Sequence, residues 1–76
     1  MMSALLVRPA PIAGTLRRGP FHELRELSVV ETETEVVLAG VVRSYFLKQM
    51  AQELARPALN GRRLRNRLIV VPDPGQ

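Results

Sequence analysis

The stretch EVVLAGVV, residues 35–42, is apolar on both of its alternating faces, and nothing else in the chain constrains the fold as much. Period-two geometry puts Val36, Leu38, Gly40 and Val42 on one face and Val37, Ala39 and Val41 on the other. Such a strand sits in the middle of a sheet or is covered on both sides. A glycine inside it marks a bulge or the close approach of another element, and the following helix is the expected neighbour.

That helix starts at once. Ser44 has the chemistry of an N-cap, a hydroxyl able to satisfy a free amide of the first turn. Phe46, Leu47, Met50, Ala51, Leu54 and Ala55 then fall on one half of a helical wheel, with Phe46 placed in the core. Tyr45, Lys48, Gln49, Gln52, Glu53 and Arg56 fall on the other half. Pro57 ends the helix, and Asn60-Gly61 makes a turn. Residues 64–71 form a third strand, with Leu64, Asn66, Leu68 and Val70 on one face and Arg65, Arg67, Ile69 and Val71 on the other, preceded there by Arg63. A strand, helix, strand order predicts a right-handed crossover with the helix on one sheet face.

Upstream, residues 24–31 supply a partner strand, with Leu27 and Val29 on one face and Ser28 and Val30 on the other. Thr32-Glu33-Thr34 is the turn, built without the usual Gly, Asn or Asp. Pro9, Pro11, Pro20, Gly14 and Gly19 interrupt any period before that. Residues 1–20 therefore read as a flexible arm carrying Leu5, Leu6, Val7, Ile12 and Leu16 as candidate docking side chains, and residues 72–76 as a loose tail.

At 76 residues the chain is one small domain, residues 21–71, with a modest core. It has no cysteine and a single histidine, His22, so neither disulfides nor a zinc site can reinforce it. Association with another surface is the remaining route. No apolar run approaches the roughly 18–20 residues of a membrane span. Ala4-Leu5-Leu6-Val7 is too short for an export signal, which predicts a soluble chain.

No catalytic constellation stands out. Ser44 is accounted for as a cap, Gly40 and Gly61 stand alone, and Glu31, Glu33 and Glu35 alternate along a solvated hairpin tip. Catalytic and metal-ligating residues are accordingly none, and no cofactor is implied. The basic segment Arg62, Arg63, Arg65 and Arg67 is the candidate contact for an anionic ligand, a membrane or nucleic acid. Phe21, Tyr45 and Phe46 are the only aromatics, few for a single-strand binder, which normally stacks bases on exposed rings.

Three runs in order, Val36-x-Leu38-x-Gly40-x-Val42, Ala51-x-x-Leu54-Ala55 and Leu64-x-Asn66-x-Leu68-x-Val70, resemble the BON domain. The likeness covers about residues 24–71. It implies an α+β fold of order αββαβ and a non-enzymatic role in binding phospholipid or envelope components, often in the periplasm. Gly40 matches that family's strand glycine. Asn66 matches its strand asparagine, whose side chain would face inward and need a hydrogen-bond partner. The prolines and glycines before residue 22 predict that the family's first helix is absent or degenerate. Thr34 and Asn60-Gly61 replace the family's usual hairpin glycine and Gly-Val.

The expected architecture is thus a ββαβ sheet of three strands on one main helix. The helix takes the face of Val29, Val36, Leu38, Leu64, Leu68 and Val70. Val30, Val37, Ala39, Val41, Ile69 and Val71 are left on the other, bordered by Arg63, Arg65 and Arg67. These form a candidate assembly face of a few hundred Å², the size that marks interaction sites. A second copy or another protein domain is its first expected cover, with the N-terminal arm or an anionic membrane as the others. Nucleic acid binding through the arginine-rich last strand and a purely structural assembly role are the alternative functions.

Overall fold

In the computed structural model, which describes residues 11–72, three strands lie in the order β1 (Ser28–Glu31), β2 (Glu35–Val42), β3 (Arg63–Val70). β1 pairs antiparallel with β2, placing Val30 opposite Val37. β3 runs parallel to β2, placing Val41 opposite Ile69. Two helices, α1 (Pro11–Arg18) and α2 (Tyr45–Ala55), complete a small α+β fold, with 3-10 turns at His22–Glu26 and Arg56–Ala58. The doubly apolar strand is the central one, as its pattern requires.

Both helices bury their apolar stripes on the same face of the sheet. Ile12 and Leu16 of α1, Leu24 of the first 3-10 turn, and Leu47, Ala51 and Ala55 of α2 pack with Val36, Leu38, Val42 and Leu68 in one core cluster. Ser44 caps α2 as expected, Leu47 N–H donating to its Oγ at 3.2 Å. Phe46 is not in the core. It is 60% exposed and stands edge-on to Phe21, ring centroids 5.6 Å apart. On the first turn of α2 it thus meets the residue ahead of the first 3-10 turn and stays outside the core cluster.

A first helix is present where prolines and glycines predicted a flexible arm. Pro11 opens it at the position where a fixed φ and a missing N–H are harmless, and Pro20 lies beyond its end. Gly14 alone falls inside, at a cost of roughly 1 kcal/mol. The burial of Ile12 and Leu16, four residues apart, opposes that cost with several kcal/mol. Leu5, Leu6 and Val7 lie outside the described residues, as does the tail beyond Pro72.

The hairpin does without a glycine because Thr32 supplies the turn chemistry. Its Oγ accepts from Thr34 N–H and Glu35 N–H, at 3.2 and 3.0 Å. β1 begins at Ser28, four residues later than the alternation suggested, since residues 22–26 are taken by the 3-10 turn. Gly40 has φ +137°, and a Cβ there would lie 2.9 Å from Leu27 Cδ2. The element that approaches the glycine is therefore the Leu27 side chain ahead of β1, and not the following helix.

Candidate interaction surface

Among the described residues, no element covers the face of the sheet turned away from the helices. Val30, Val41, Ile69 and Val71 are 53, 59, 60 and 50% exposed, while Val37 and Ala39 between them are half-buried by their strand neighbours. The register lays these side chains out as a grid. Val30 and Val37 share a row with Arg65, Ala39 with Arg67, and Val41 with Ile69. Arginines thus line the β3 side of an apolar strip. The one-sided layering comes from both helices choosing the same face, so a first helix does not close it.

The arginines are not equivalent. Arg62, grouped with the others by sequence, is withdrawn from the surface: its side chain is 16% exposed and ion-paired with Glu31 at 2.9 Å. Its guanidinium also donates to the carbonyls of Leu59, Ala58 and Thr32 at 2.8, 2.9 and 3.3 Å. The left-handed Asn60-Gly61 turn, with φ of 53° and 84°, aims it back into the loop. Arg62 is a structural clasp, not an anion contact.

Glu31 is the other half of that clasp. Its second carboxylate oxygen accepts from Ile12 N–H in the first turn of α1 at 3.2 Å, where a negative charge also suits the helix dipole. Far from decorating a solvated hairpin tip, Glu31 ties α1, the hairpin and the loop before β3 together. Helix 11–18, invisible in the sequence pattern, is what gives this carboxylate its task.

Arg63, Arg65 and Arg67 do point out from the open face and are exposed. Arg65 reaches Glu35 at 3.8 Å, a distance and exposure at which the attraction is slight. Among the described residues, no ion pair involves Arg67, which stands beside the Val41–Ile69 row. Beyond that row a cleft of about 310 Å³ opens, carrying Arg25 and Arg43 but also Glu23, Glu26 and His22.

Asn66 faces inward from β3. Its Nδ2 donates to the Lys48 carbonyl and to Gln52 Oε1 of α2, at 3.0 and 3.2 Å. Its Oδ1 accepts from Leu68 N–H at 3.2 Å. Arg63 and Val71 N–H groups bond to the β2 side, so the alternating Leu68 N–H belongs to the free edge of β3. One side chain therefore anchors β3 to α2 and occupies an edge donor that a foreign strand would need.

No group of three or more His, Asp or Glu able to hold a metal occurs among the described residues. Glu53 is held below the usual carboxylate range by its hydrogen bond from Arg56, but the pair is exposed on the outer side of α2. No helix among the described residues is long and apolar enough to cross a membrane. No family model, curated protein or solved structure matches the chain.

Proposed function

We propose that this chain is a non-enzymatic, BON-like binding module whose open sheet face rests on an anionic phospholipid surface. One observation carries this most directly: the exposed apolar side chains of β2 and β3 and the outward arginines of β3 project from the same uncovered face. An amphiphilic surface with negative headgroups satisfies both at once. The order helix, two strands, helix, strand, with Gly40 under Leu27 and Asn66 bonded to α2, supports the family resemblance. An envelope or periplasmic setting belongs to the same proposal.

Area favours a lipid over a second copy. Three short strands present no more than about 400 Å² of outer surface, about half of the ~800 Å² per partner in a stable protein interface. Self-association through this face alone is consequently weak. Nucleic acid fits less well, because none of the three aromatics lies on the strands that carry the arginines.

Co-sedimentation with phosphatidylglycerol vesicles, against phosphatidylcholine controls, tests the proposal. Binding should be confined to the anionic vesicles, fall with salt, and survive a single-stranded oligonucleotide competitor. Arg67→Ala should weaken it roughly fivefold, since a basic residue near such a surface contributes about 1 kcal/mol. Displacement by the oligonucleotide would move the function to nucleic acid. Binding to neither would leave a protein-docking face.

A further inference from the structure

We infer that the protein meets the bilayer end-on, leading with the strand-end cluster Val41, Ile69, Val71, Tyr45 and Phe46, and does not lie flat on its sheet. This deepens the phospholipid assignment and rests on it. Of the six large apolar side chains that stand exposed among the described residues, five belong to this cluster and only Val30 does not. Val41 and Ile69 are register partners, and Val71 N–H donates to Val42 O at 2.8 Å, so these three stand together where the parallel strands finish. Tyr45 follows Val42 by three residues, within about 11 Å along the chain. It is 77% exposed, and Phe46 is 60% exposed. Phe46 also meets Phe21 edge-on, ring centroids 5.6 Å apart, so exposed ring surface stands at the start of α2, just past the end of β2.

Charge selects the same end. At the opposite end lie the hairpin acids Glu31, Glu33 and Glu35, whose charge offsets the arginines there: Arg62 is paired with Glu31 at 2.9 Å, Arg65 stands 3.8 Å from Glu35, and Arg63 is the register partner of Glu35. Arg67 is next to the cluster and has no such partner among the described residues. Glu23 and Glu26 also lie near this end, in the cleft that Val41, at the β1-side margin of the cluster, itself lines. The β3 side must therefore tilt downward, bringing Ile69, Val71 and Arg67 to the surface and lifting the cleft away. A tyrosine at the rim fits this geometry, because an amphipathic ring prefers the headgroup level.

The chain contains no tryptophan, so single replacements report position directly. Tyr45→Trp and Val30→Trp, both at exposed sites, are to be compared on phosphatidylglycerol vesicles with bromine on the upper acyl carbons. End-on insertion predicts that Tyr45→Trp emission moves to shorter wavelength and is quenched, while Val30→Trp emission stays as in buffer. Equal quenching at both sites, quenching only at Val30, or a response at neither while the variants still sediment, would overturn the orientation. If the wild-type chain does not sediment at all, the lipid assignment itself falls and the orientation with it. A Tyr45→Ser/Phe46→Ser variant gives a second measure: losing two inserted side chains should cut vesicle affinity at least about tenfold. Unchanged affinity in a variant with native circular dichroism would also refute the insertion.

Discussion

Val41 and Val42 are neighbours in one strand, with the same side chain and the same strand preference, yet one is 59% exposed and the other 1%. The same contrast runs across the whole sheet. Val36, Leu38, Val42 and Leu68 are sealed under two helices, while among the described residues no layer lies above Val30, Val41, Ile69 and Val71. Apolar character was placed on both faces, but helices were supplied to one. Stability is therefore concentrated on the inner face. The outer face keeps hydrophobic surface that folding does not use, which is the condition for a binding surface that can change without unfolding the protein.

Paired truncations break this comparison most forcefully. Leu38→Ala should cost about 3 kcal/mol, by lost transfer energy and an unfilled cavity. Val41→Ala should stay within roughly 0.5 kcal/mol. Urea denaturation measures both, and repeating it over a range of protein concentration sharpens the result. A large loss for Val41→Ala that grows with concentration would mean that the outer face is buried between copies.

Next in size is Glu31→Gln, expected to cost about 2 kcal/mol, because it leaves the shielded Arg62 guanidinium without its counter-charge. Hydrogen exchange should show α1 losing protection ahead of the sheet. Uniform loss across the domain would mean that the clasp is not specific to α1. Smallest is Asn66→Ala, about 1 kcal/mol, from lost hydrogen bonds to α2. A thermal melt reads it, and an unchanged midpoint would show that water replaces the asparagine.

The sequence disclosed what depends on periodicity. β2 runs over the very residues its alternation marks, Ser44 caps α2, and the outward side of β3 carries arginines as read. Asn66 needed a partner and has two in α2. What escaped was decided by contacts between distant segments. Helix α1 has only two buried turns and includes Gly14, so its propensity alone argued against it. Its stability comes from the core that Ile12 and Leu16 enter. Arg62 looked like its neighbours because charge is local in the sequence, whereas Glu31 is contributed by another strand. Phe46 shared the apolar half of the wheel, but a wheel does not show which of its residues a distant ring such as Phe21 will meet outside the core.

The Glu31 clasp also bears on the order of events in time. It joins residues 12, 31 and 62, so neither link can form until long stretches of chain have already been brought together. The three-residue hairpin turn and the capped helix α2 need no such closure and suit an early nucleus. A contact made after the rate-limiting step leaves folding speed alone and governs how fast the native state comes apart. Glu31→Gln should accordingly steepen loss of structure in unfolding jumps while refolding jumps keep their rate; slower refolding would place the clasp in the nucleus. The carboxylate acts as a brake on opening, holding a small domain shut for longer than its equilibrium stability alone would suggest.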